Sequence, residues 1–179
     1  MGAGLGRGQI LLRQMPPQQA ILVGCGGGPR MTTTRVDFYQ LSRDPVDVTV
    51  AKLARKVLQA GERLVVVSGD DAQRTHLSQL LWQQGGAAFL ANGMAGGAHE
   101  ARQPILLSGT CGSPNGARMA LIADGRWREE ALEFDRVLLL FDAAQRDAAA
   151  ALWRRFAQDE TIDNRINKQD EHGSWREGR

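Results

Sequence analysis

The chain is short of cysteine, histidine and long apolar runs, and it has no strong excess of either charge. Two cysteines, Cys25 and Cys111, cannot supply the disulfide framework of a small secreted domain, so a cytoplasmic, reducing setting is expected. No stretch approaches the ~18 consecutive apolar residues of a membrane span, and no membrane partner is expected. The three histidines, His76, His99 and His172, are far apart and lack ligand partners at metal spacing. No metal and no other cofactor is expected. The formal net charge is +2, and it is carried by the first thirty residues, which hold Arg7, Arg13 and Arg30 and no acid. The rest of the chain is close to neutral, which argues against a module that grips bare nucleic acid through a broad basic surface.

Catalytic signatures are missing as well. There is no G-x-x-x-x-G-K-[ST] phosphate loop and no G-x-S-x-G nucleophile elbow. Gly24–Gly28 resembles a dinucleotide loop, but Pro29 breaks the required spacing and no helix pattern follows. Leu22–Cys25 matches a lipoprotein cleavage box, but Pro16 and Pro17 interrupt the apolar stretch that such a signal needs. Cys111 sits in a Gly/Pro/Asn loop with no reactive signature and reads as a structural thiol.

The 179 residues, with 42% hydrophobic and 23% charged side chains, are enough for one domain with an ordinary core. Residues 1–30 are rich in Gly, Gln and Pro and read as a disordered N-terminal extension, with translation expected to begin at Met31. Residues 31–179 read as the folded domain. Within it, Arg35–Leu41 is a strand by its β-branched and aromatic content. Asp44 and Pro45 open a helix as N-cap and first helical residue, and Gly61 closes it. Arg63–Val67, Ile105–Ser108, Met119–Ala123 and Arg136–Phe141 read as strands, the apolar runs among them as buried ones. Ala72–Gln83 is a second helix ended by Gly85 and Gly86. Ala88–Ala91 is a short strand, Asn92–Gly97 a glycine-rich loop, and the segment from Gln158 onward is polar and without assigned structure. Strands alternating with helices predict an α/β fold with a mostly parallel sheet and helices on both faces.

Two places carry candidate chemistry. Asp70 and Asp71 follow a strand, where doubly wound folds often place active residues. They are either the acids of a nucleotide- or metal-binding enzyme or simply the cap of the next helix. Ala143–Ala157 is an alanine-rich helix opened by Asp142. At helical spacing Arg146, Ala150, Trp153 and Arg154 share one face. That face either grips a short acidic peptide with an apolar side chain or is an ordinary amphipathic stripe with Trp153 on the sheet.

Taken in order, Val36–Leu41, Lys56–Leu64, Leu80–Trp82 with Phe89–Leu90, Gln103–Leu107, Phe134–Asp142 and Lys168–Glu171 with Trp175 resemble the chi subunit of bacterial DNA polymerase III. The resemblance covers residues 31–179. It implies a single Rossmann-like domain without a working nucleotide site, and an adaptor with no catalytic residues of its own inside a nucleotidyltransferase holoenzyme. It implies membership of the clamp-loader assembly through the psi subunit or another clamp-loader component, with Trp82 and Phe89 at that interface. Both of these aromatics are otherwise core residues flanking a helix end. It also implies binding of the acidic C-terminal tail of single-stranded-DNA-binding protein, which ends in Pro-Phe with a free carboxylate. DNA is then reached indirectly, and some relatives also recruit a repair helicase. Arg146, Trp153 and Arg154 match the tail-binding positions. A family arginine between them falls on Ala150, and Arg155 is the candidate to compensate.

Overall fold

A computed structural model describes residues 33–83, 89–170 and 174–178. The expected extension 1–30, the helix-ending Gly85 and Gly86, Ala88 and His172 lie outside the described residues.

Eight strands form one sheet. They are β1 (Thr34–Gln40), β2 (Leu64–Val67), β3 (Asn92–Met94), β4 (Ile105–Ser108), β5 (Met119–Ile122), β6 (Arg136–Phe141), β7 (Ile162–Gln169) and β8 (Trp175–Gly178). Their spatial order is β3-β4-β2-β5-β6-β1-β7-β8. All neighbours run parallel except β7 and β8, which pair antiparallel. β2 and most of β4 and β6 are unbroken apolar runs because they are covered on both faces. Helices α1 (Val46–Gln59) and α2 (Asp71–Gln83) pack on one face through Val50, Leu53, Ala54, Val57, Leu77 and Leu81. Helix α3 (Arg146–Phe156) packs on the other through Ala149 and Phe156, with Leu152 and Trp153 partly covered. The mixed α/β fold with helices on both faces of a mostly parallel sheet is as expected. Its strand order differs from the 3-2-1-4-5-6 order of dinucleotide-binding sheets.

Several boundaries differ from expectation for local reasons. Pro45, not Asp44, holds the N-cap position of α1, and Asp44 instead binds the Lys52 ammonium at 2.6 Å. That bond holds the Asp44 carboxyl below the usual carboxylate range. Gly61 ends α1 at φ +76°. Its amide donates to the Leu58 carbonyl and the Glu62 amide to the Val57 carbonyl, the paired bonds of a Schellman cap. Asp142 closes a turn by accepting from the Ala144 amide at 2.8 Å, and α3 begins only at Arg146. The short edge strand β3 lies in the expected glycine-rich loop, while Phe89–Ala91 is not strand.

The largest departure is at the C-terminal end, where the polar segment after Gln158 forms β7 and β8. Ile162 and Ile166 face the α3 core. Arg165, in the alternate position, bonds Asp163 at 3.0 Å and Glu177 of β8 at 2.7 Å. Next to it on β1, fully buried Asp37 accepts from Arg35 Nε at 2.9 Å and Arg136 Nε at 2.6 Å. Ion pairs cover this face of the sheet, so no apolar alternation marks the strands in the sequence.

Candidate functional site

Helix α3 divides into three stripes. Ala149 and Phe156 are buried, and Phe156 meets Trp127 at 5.0 Å and Phe38 at 6.3 Å between ring centroids. Trp153 belongs partly to this aromatic layer, edge-on to Phe38 at 5.3 Å, and stays half-buried. Its backbone carbonyl accepts from the Asn164 amide group of β7. Beside it, Arg146, Ala150 and Arg154 are exposed. Among the described residues neither Arg146 nor Arg154 forms a salt bridge. One edge of the indole therefore rests on the core, as the amphipathic-stripe reading expects, and Arg146 and Arg154 stand exposed on the same helix.

Arg155 does not join this group. It lies nine residues from Arg146, two and a half helical turns, and so projects from the opposite flank. There it pairs with Glu129 at 2.8 Å and lies over the Phe156 ring at 5.0 Å. The Arg155 guanidinium holds the Glu129 carboxyl below its usual range. Trp127, Glu129 and Phe38 around α3 were not indicated by the sequence. They come from β1 and the loop before β6, far away in the chain, and no spacing rule connects them.

Trp82, on the last turn of α2, and Phe89 are not core residues. They keep 49% and 58% of their surface exposed, with ring centroids 4.9 Å apart. The described large apolar residues that are exposed are Val48, Met94 and this pair.

The carboxyl ends of β2, β5 and β6 border a cavity of about 590 Å³ lined by Gly69, Asp70, Gln73, Asp124, Arg126 and Gln145 among others. Asp70 there caps α2, accepting from the Ala72 amide at 2.9 Å. Asp71 pairs with Arg74. Asp124 accepts from Arg128 at 2.7 Å and the Gly69 amide at 2.8 Å. Burial raises the Asp124 pKa, but Arg128 and the Gly69 and Arg126 amides outweigh burial and leave it lowered. A Cβ on Gly69 would lie 3.3 Å from Arg128 Nη2, and one on Gly109 would lie 3.3 Å from Arg74 Nη1. Both guanidinium groups are already paired with acids of the chain, Arg128 with Asp124 and Arg74 with Asp71. No group of three or more metal-capable side chains occurs among the described residues. Cys111 is buried, and burial pushes its thiol pKa up. Among the described residues, no helix is long and apolar enough to cross a membrane.

With this geometry in place, comparison with known proteins is specific. The family model described as DNA polymerase III chi subunit, HolC, matches residues 33–161, which include α3 and stop before β7. The DNA polymerase III subunit chi of Pseudomonas aeruginosa is 36% identical over 92 residues. That alignment takes in 50% of this chain and 62% of the relative.

Proposed function

The chain belongs to the DNA polymerase III chi subunit family, and from that premise we propose that it is a non-catalytic adaptor in DNA replication. In this reading it joins the clamp-loader assembly to single-stranded-DNA-binding protein by holding that protein's acidic C-terminal tail. The observation that carries the proposal is the flank of α3 on which Arg146 and Arg154 stand beside half-buried Trp153. Carboxylates of a peptide need cations without competing partners, best supplied by arginine, and an apolar side chain needs a surface that is already partly desolvated. That flank supplies both, and the family match includes it. Exposed Trp82 and Phe89 are the second surface, proposed for the psi subunit or another clamp-loader component.

The test is fluorescence-anisotropy binding of a labelled acidic peptide ending in Pro-Phe, with the same peptide lacking the final phenylalanine as control. Saturable binding that needs the phenylalanine and weakens in Arg154→Ala supports the adaptor role. Absence of binding to both peptides at millimolar protein removes it.

A further inference from the structure

β3 forms one edge of the sheet, and its outer side is unpaired among the described residues. On the inner side the Ala95 amide donates to the Leu107 carbonyl at 2.8 Å, and the register sets Met94 opposite Leu107. Bonding alternates along a parallel strand, so Gly93 and Ala95 bond inward while the amides of Asn92 and Met94 point outward. Exposed edges are commonly protected by charged side chains or proline. This edge has neither, since residues 89–98 contain no charged residue and no proline.

Exposed apolar side chains stand at both ends of the edge. Met94, at the carboxyl end, is 37% exposed. At the amino end, Asn92 accepts from the Ser78 hydroxyl of α2 at 2.7 Å. About one helical turn beyond Ser78 stands Trp82, in contact with Phe89. Three of the four exposed large apolar residues among the described residues therefore border β3. Gly93 faces the other side of the sheet, which is closed: a Cβ there would lie 2.7 Å from Gln103 Cγ.

We propose that β3 accepts an extended, uncharged segment of the clamp-loader partner as an added strand, with apolar side chains against Met94 at one end and the Trp82–Phe89 pair at the other. The inference rests on the reading of Trp82 and Phe89 as the clamp-loader surface and deepens it. Main-chain bonds to Asn92 and Met94 supply affinity, and the apolar contacts at the two ends set the register. A charge on the incoming segment would be desolvated without an ionic partner in residues 89–98. A second copy of this chain fits less well, because it offers only the three residues of β3, whereas a partner segment runs on past both ends.

The experiment follows amide hydrogen exchange at single-residue resolution in the wild-type chain, alone and bound to the clamp-loader complex purified from the source organism. Calorimetry gives the affinities of two variants. In the free chain Asn92 and Met94 are expected to exchange faster than Gly93 and Ala95. Binding is expected to slow Asn92 and Met94 by about tenfold or more, the worth of a backbone hydrogen bond. Met94→Pro removes an outward amide and spares the inward bonds, a change that edge strands tolerate, and it is expected to weaken binding roughly tenfold. Met94→Leu keeps the amide and an apolar side chain and is expected to bind as wild type. Circular dichroism confirms folding, and the wild-type exchange data decide the outcome if Met94→Pro does not fold. Unchanged exchange at Asn92 and Met94 in a complex that still requires Trp82 overturns strand addition and leaves the aromatic surface standing. Slow exchange of both amides in a dimer of the free chain places a second copy on the edge and overturns the proposal. Binding that Trp82→Ala leaves intact, or no binding at all, overturns both readings.

Discussion

The rings of Trp82 and Phe89 meet edge to face at 63°, yet both residues keep about half of their surface in water. Two large apolar side chains touching each other without reaching the core are a patch rather than a packing unit, and such patches mark interaction surfaces. Replacing either ring by alanine is expected to change stability by less than about 1.5 kcal/mol, the worth of an aromatic pair. Under the proposed adaptor role the same changes are expected to abolish binding of the psi subunit or other clamp-loader component proposed for this surface. Urea unfolding and isothermal titration calorimetry on the same variants separate the two effects. A large stability loss with unchanged binding would return both residues to the core.

On α3 the expected pattern is different for each residue. If the tail binds as proposed, Arg154→Ala and Arg146→Ala are expected to leave the fold intact, because both side chains project from it, and each to weaken tail-peptide binding by roughly 1.5–3 kcal/mol at low salt, as for hydrogen bonds to charged groups. The loss shrinks as salt rises. Trp153→Ala mixes two effects, since the indole also rests on Phe38. Trp153→Phe keeps most of that contact and is the cleaner probe. Anisotropy titrations at two ionic strengths check all three.

Asp124→Ala removes the acid that joins the ends of β2 and β5 and leaves the mostly buried Arg128 guanidinium without its carboxylate. Breaking such a pair from one side is expected to cost about 2–3 kcal/mol. The pH dependence follows from the direction of the shift. The folded-state pKa of Asp124 lies below its ordinary value of 3.8, so its contribution is complete above that value and is lost as pH falls through the lower folded pKa. Acid unfolding curves of wild type and Asp124→Ala should therefore converge at low pH and separate above about pH 4. Parallel curves throughout would place the stabilisation elsewhere.

Gly61→Ala tests the Schellman cap of α1. No atom lies within 4 Å of where the Cβ would stand, so the cost is conformational, set by φ +76°. A loss of about 1 kcal/mol in thermal or urea unfolding is expected, with peptide binding unchanged.

The sequence determined those parts whose signal is local. The apolar runs within Ile105–Ser108 and Arg136–Phe141 give strands with those bounds, because a strand covered on both faces is apolar at nearly every position, and the polar Ser108 and Arg136 stand only at the strand ends. The spacing of Val50, Leu53, Ala54 and Val57 places one face of α1, and Gly61 its end. The order of several short segments pointed to the chi family, and the spacing on α3 put Arg146, Trp153 and Arg154 on one flank. Only the tertiary structure decided which flank of α3 each cation occupies relative to the core, because helical spacing fixes angles on a cylinder but not the side that meets the sheet. It also decided that Trp82 and Phe89 are exposed, that Asp70 caps while Asp71 pairs with Arg74, and that a polar tail becomes β7 and β8. In each case the stabilising contact is an ion pair, a cap or a ring edge, which leaves no periodic trace in the residue order even where the partners are close in sequence, as Asp71 and Arg74 are.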